Sequence, residues 1–185
     1  MPEMQLYLDM LTAPHRLYTR DECLERDTPI PREFGVYSWY FKEIPQKVPL
    51  DKCVKHDGSH LLYIGISPSK PPRQGKPSKQ NLRTRIKQHY SGNAEGSTLR
   101  LTLGCLLSEK LGLELRRVGS GKRMTFHEGE EILSKWMNDN AFVTWVVHPE
   151  PWKLEEYAIK NLSLPLNLRD NEKHPFHRTL TSVRR

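Results

Sequence analysis

Apolar positions fall into two kinds of pattern along the chain. Three short runs, FGVYSWYF (34–41), LLYIGI (61–66) and AFVTWVV (141–147), are aromatic and β-branched and have strand length. Between the first two lies EIPQKVPLDKCVKHDGS, whose two prolines and DG predict a long excursion instead of a two-residue hairpin. Elsewhere the spacing is helical. Residues 3–12 read as a short helix limited by Pro14. In NLRTRIKQHY, Asn81 is a plausible N-cap and Leu82, Ile86 and Tyr90 lie four apart on one face. Ser97 suits the cap of a helix from Thr98 to about Lys110, with Leu99, Leu103, Leu106 and Leu107 inward and Gly112 beyond its end. A further helix near 128–138 carries Ile132, Leu133, Trp136 and Met137, and Pro151 opens one that continues as KLEEYAIKNL.

The remaining segments are polar. From Pro14 to Pro31 the chain is charged and proline-broken and reads as a connecting arm. SPSKPPRQGKPSKQ (67–80) holds four prolines, one glycine, four basic residues and no acid, which makes it a loop without a core. RRVGSGKR reads as a basic loop, and the segment from Leu168 to Arg185 as a basic tail whose composition argues against order.

A length of 185 residues suits one domain. The formal net charge of +7 suits a polyanionic partner and leaves the fold open. No run approaches the roughly 18 apolar residues of a membrane span, and the N-terminus lacks the pattern of a signal peptide, so a cytoplasmic location with no membrane partner is expected. Cys23, Cys53 and Cys105 are odd in number and far apart, and are expected as reduced thiols.

In chain order, Gly35-Val36-Tyr37, Tyr63-Ile64-Gly65, the helix LRTRIKQH, a glutamate at 155 or 156 and Asn167 resemble the GIY-YIG nuclease superfamily. The resemblance covers 34–90 and 141–167. It implies an α+β fold with a small three-stranded antiparallel sheet flanked by helices, here with a helical insertion at about 92–139. It implies also an endonuclease that hydrolyses phosphodiester bonds with one divalent ion, Mg²⁺ or Mn²⁺. The division expected is an arm over 1–33, the nuclease domain over 34–167 and the tail over 168–185.

The residues suit that chemistry. A phosphodiester gathers charge on its non-bridging oxygens in the transition state, and Arg85 is the candidate cation. A hard cation needs a carboxylate. Leu154, Tyr157, Ala158, Ile159 and Leu162 define a buried arc that contains Glu155 and leaves Glu156 outside it, so Glu155 is the preferred metal ligand and Glu156 the alternative. Tyr37 and Tyr63 alternate with apolar neighbours and suit one face of the sheet, with Tyr63 at the scissile phosphate and Gly65 giving room for backbone approach. His89, one turn after Arg85, is expected to assist proton transfer or hold phosphate. Asn167 is expected to position its loop or bind phosphate, or else to form an Asx turn.

Residues 67–89 carry seven basic side chains and no acid. Lys70, Arg73, Lys76, Lys79, Arg83 and Lys87 form a candidate phosphate track beside Arg85, and Arg116 and Arg117, with Lys122 and Arg123, a second one. The expected partner is DNA, with RNA open, and the protein a monomer or homodimer. The insertion reads as a recognition or oligomerisation element, or as core extension. The alternative to catalysis is a silent nucleic-acid-binding module of the same fold.

Overall fold

The computed structural model describes residues 2–119, 121 and 123–184. Lys122 lies outside the described residues. The chain begins with α1 (Pro2–Thr12) and α2 (Arg20–Leu24), followed by β1 (Gly35–Phe41), β2 (Lys55–His56), β3 (Ser59–Ser67) and α3 (Leu82–Ser91). The insertion holds α4 (Thr98–Leu106), α5 (Ser108–Leu111), β4 (Arg116–Val118), β5 (Arg123–Thr125) and α6 (Gly129–Asn140). It returns through β6 (Ala141–Val147), α7 (Pro151–Asn161) and α8 (His177–Val183). Among the described residues no helix is long and apolar enough to cross a membrane.

The main sheet is antiparallel with order β2-β3-β1-β6. It thus has four strands where three were expected, because the end of the proline-containing excursion pairs Lys55 and His56 with His60 and Ser59. β1 is central and buried along its whole length, since each parity of its side chains faces a different core. Val36 and Tyr40 pack with Leu8, Leu154 and Ala158 on the side of α1 and α7. Tyr37, Trp39 and Phe41 pack with Ile86, Tyr90 and Met137 on the side of α3 and α6. A bulge opposite Trp39 and Tyr40 leaves Leu62 as an extra residue on β3.

The expected connecting arm is packed structure. Thr19 caps α2 in a reciprocal box with Glu22, which nucleates one short helix inside the charged stretch. Tyr18 exchanges both backbone hydrogen bonds with Val143 and so covers part of the β6 edge. Where a basic loop was expected, Arg116–Val118 and Arg123–Thr125 pair as a two-stranded ribbon of β4 and β5, with Gly119 and Gly121 at φ 61° and 77°. The tail also departs from its composition. Phe176 and Leu180 are buried in the same core as Trp39, so α8 is tied down by apolar packing. All three cysteines are free, as expected.

Candidate active site

Strand register decides which side chains can meet. Tyr37 lies opposite Gly65 and Trp39 opposite Tyr63, so both tyrosines stand on the α3 side of the sheet. Gly35 is required by packing, since a Cβ there would lie 2.8 Å from Leu82 Cδ1 and against the Val146 carbonyl. At Gly65 the missing side chain is replaced by the Tyr37 ring, whose Cζ would sit 2.6 Å from an added Cβ. The expected room for backbone approach is therefore taken by a tyrosine.

α3 lies over this face because Asn81 caps it, accepting from Thr84 N, and because Leu82, Ile86 and Tyr90 are fully buried. The same helix turn that buries this stripe delivers His89 beneath it. His89 is fully buried, with Nε2 2.8 Å from Tyr37 Oη and Nδ1 2.7 Å from Ser97 Oγ. Burial, aided by Arg85 and Arg100, holds its pKa well below the usual histidine range, so the ring is neutral. It carries no charge with which to hold a phosphate.

Arg85 is half-buried and donates through Nη1 to Gly96 O at 2.8 Å and Gln88 Oε1 at 3.0 Å. Its guanidinium also acts on Tyr37, by charge and by a side-chain hydrogen bond. Burial raises the pKa of both tyrosines, Tyr63 to about 12, while the Arg85 charge opposes the rise and Glu155 adds to it. Tyr63 is half-buried, and its hydroxyl has no hydrogen-bond partner among the described residues.

Glu155 lies in a cleft of about 440 Å³ with Ile66, Lys70, Trp152, Arg169 and Asp170. Burial, partly countered by Arg169 and reinforced by Asp170, pushes its carboxyl up to about 7. It makes no hydrogen bond or ion pair with the described residues. Glu156 points to solvent and pairs with Lys160 at 2.7 Å, consistent with the helical wheel. Among the described residues no three His, Cys, Asp or Glu side chains form a metal cage. Glu172 lines the same cleft and is likewise unpaired, and a cleft with such carboxylates fits an ion that takes one or two of them and keeps its waters. Asn167 is buried and spends both ends of its amide on the Ile64 backbone.

The basic residues divide. Lys70, Arg73, Lys76 and Lys79 are exposed on the irregular loop, and Lys70 reaches the Glu155 cleft. Arg83 donates to Ile30 O at 2.6 Å and Lys87 to Glu25 O at 3.1 Å. These two hold the N-terminal segment, unlike the four exposed residues of the loop. Arg116 is spent on Glu114 at 2.7 Å and Arg117 on Gly121 O at 3.3 Å, both on the ribbon.

Sequence reasoning assigned Ser97 only a capping role and missed Arg100. Arg100 is fully buried, donates to Glu130 Oε2 at 2.8 Å and to Tyr90 O at 3.3 Å, and so ties the insertion to the end of α3. An arginine in the leucine stripe of α4 was the available signal.

A central antiparallel sheet that carries paired tyrosines under an arginine-histidine helix, with a half-buried glutamate on a later helix, defines the class. The family model described as GIY-YIG catalytic domain matches residues 35–185, and the chain belongs to that family. The match runs through the insertion and α8, further than the motifs alone reach. No curated protein and no solved structure matches the chain. Membership indicates a nuclease-type function in general.

Proposed function

We propose that this protein is a divalent-metal-dependent endonuclease that hydrolyses phosphodiester bonds of DNA. One observation carries the reading: the Tyr63 hydroxyl, which has no partner among the described residues, lies where the Arg85 charge and the unpaired Glu155 carboxylate both act on its ionisation. Such a set is costly for the free protein and is relieved by a ligand that is both anionic and metal-bearing.

Glu155 would hold one Mg²⁺ or Mn²⁺ ion. The chemistry such an ion supplies when bound is neutralisation of the phosphate and of the leaving oxygen. The chain's own residues do the rest. Arg85 turns its uncommitted N–H groups to a non-bridging oxygen, where charge accumulates. Tyr63 donates a hydrogen bond from its hydroxyl to the phosphate. Tyr37, with its hydroxyl neutral, orients the attacking water by a hydrogen bond, and the water gives up its proton to solvent. The water oxygen forms a new P–O bond, the bond to the leaving alcohol breaks, and that alcohol takes a proton from solvent. His89 holds Tyr37, and Asn167 positions the loop that follows α7. Exposed Lys70, Arg73, Lys76 and Lys79 supply a phosphate track that leads to the cleft.

The test is incubation with supercoiled plasmid, labelled single-stranded DNA and RNA, in Mg²⁺ or EDTA, beside Glu155→Gln and Glu156→Gln. DNA cutting that needs Mg²⁺, falls by roughly 10²-fold or more in Glu155→Gln and holds within about twofold in Glu156→Gln is expected. Salt-sensitive DNA binding without cutting would identify a silent binding module. Preferential cutting of RNA would reassign the substrate.

A further inference from the structure

The end of α8 brings a second arginine to Tyr63. Phe176, Leu180 and Arg184 lie four residues apart, so they share one face of that helix. Phe176 and Leu180 are buried in the core that contains Trp39, with Tyr63 and Val183 packed at its margin. α8 rests on α4, and Trp39 is the cross-strand neighbour of Tyr63. The face that anchors α8 therefore carries Arg184 inward, toward the side of the sheet on which Tyr63 stands. There Arg184 is half-buried and unanswered. Its Nε is buried without a hydrogen-bond partner, and its guanidinium forms no ion pair with the described residues. Arginine keeps its proton at any working pH, so a desolvated N–H is a cost that packing alone leaves standing.

We propose that Arg184 is a substrate-binding residue that donates, beside Arg85, to the phosphate held at the Tyr63 hydroxyl. The electrostatics agree. Burial raises the pKa of Tyr63, the charges of Arg85 and Arg184 both oppose that rise, and Glu155 adds to it. Burial likewise disfavours the charged form of Arg184, and Cys105 on α4 and Tyr63 both act against this. Two guanidinium groups and a neutral phenol offer donors, a set that suits a ligand with negative charge and several acceptor oxygens. A phosphate of a nucleic-acid strand has both. Helix α8 is in this way part of the substrate site, and the family match through residue 185 includes it. The identity of the substrate rests on the nuclease reading above, while the phosphate contact is measurable without cleavage.

Two measurements on the full-length protein test this. In the wild type, the ¹H–¹⁵N signal of Arg184 Nε is followed in EDTA during titration with inorganic phosphate and with a short DNA duplex. A saturable shift with each, and none with chloride at equal ionic strength, is expected. Arg184→Gln and Arg184→Lys are then compared with the wild type for duplex binding in EDTA and for plasmid cleavage in Mg²⁺, with urea midpoints to verify folding. Arg184→Gln should flatten the plot of log K against log salt by about 0.9, the share of one phosphate, and lower kcat/KM by about 10²-fold. Arg184→Lys should keep the salt slope, because the charge remains, and cut less well than the wild type, because the planar fork is lost. An Nε signal indifferent to phosphate and duplex overturns the proposal, even if neither variant folds. An unchanged salt slope in a folded Arg184→Gln also overturns it and leaves Arg184 as packing for α8. A shifted Nε signal and a flattened slope in a protein that cuts no strand would keep the phosphate contact and overturn the nuclease reading instead.

Discussion

Asn167 grips the peptide of Ile64 at both ends, donating from Nδ2 to Ile64 O at 2.7 Å and accepting at Oδ1 from Ile64 N at 2.9 Å. With Leu166 N donating to Leu62 O, this completes the edge of β3 that β2 leaves bare. One N–H of the amide is left uncommitted by this grip. Asn167→Asp replaces a donor with an acceptor facing a buried carbonyl, and should cost about 1–3 kcal/mol of stability. Urea unfolding measures it. An unchanged midpoint with lost cleavage would point to a phosphate-binding role instead.

Glu155 makes stability depend on pH with a sign opposite to the usual carboxylate. Its folded pKa of about 7 lies above the ordinary 4.5, so the folded state binds the extra proton. The protein is therefore expected to lose stability as pH rises from about 4.5 to 7, by up to about 3 kcal/mol at roughly 1.4 kcal/mol per pH unit. Melting curves in EDTA across pH 5–8 should show this fall for the wild type and a weaker one for Glu155→Gln. A flat wild-type profile would remove the desolvated carboxylate from the account.

Arg100 and Glu130 form a buried ion pair, with side chains 0% and 15% exposed. Removing one partner strands the other charge, so Arg100→Met or Glu130→Gln should each cost about 3–5 kcal/mol. In a chain of this size that corresponds to roughly 10 °C in Tm. Because the pair is coupled, Arg100→Met combined with Glu130→Gln should cost less than the two single changes added together. Simple additivity would show that the pair is not the link between the insertion and α3.

The basic loop makes a prediction about salt. Changing Lys70, Arg73, Lys76 and Lys79 to Gln should weaken DNA binding and flatten the plot of log K against log salt, by about 0.9 for each duplex phosphate that is no longer neutralised. Arg83→Gln and Lys87→Gln should leave that slope alone and lower stability, since their donors hold Ile30 and Glu25. An unaltered slope in the loop variant would place the DNA elsewhere.

What the sequence determined by itself is local and periodic. The three apolar runs became β1, β3 and β6, and the stripe of Leu82, Ile86 and Tyr90 became the buried face of α3. Spacing on α7 turned Glu155 inward and Glu156 outward, as helix geometry requires. Tertiary structure decided whatever depends on partners distant in the chain. Composition marked residues 14–31 as a connecting arm and argued against order over 168–185, yet Cys23, Ile30 and Leu180 are buried, because a polar segment needs only a few apolar anchors once a core exists to receive them. The seven basic residues of 67–89 look alike in sequence, and only packing separates the exposed Lys70 and Arg73 from Arg83 and Lys87. Ser97 read as a cap, and a cap it is. That its hydroxyl also meets His89 follows from the approach of two helix ends, which no periodicity records.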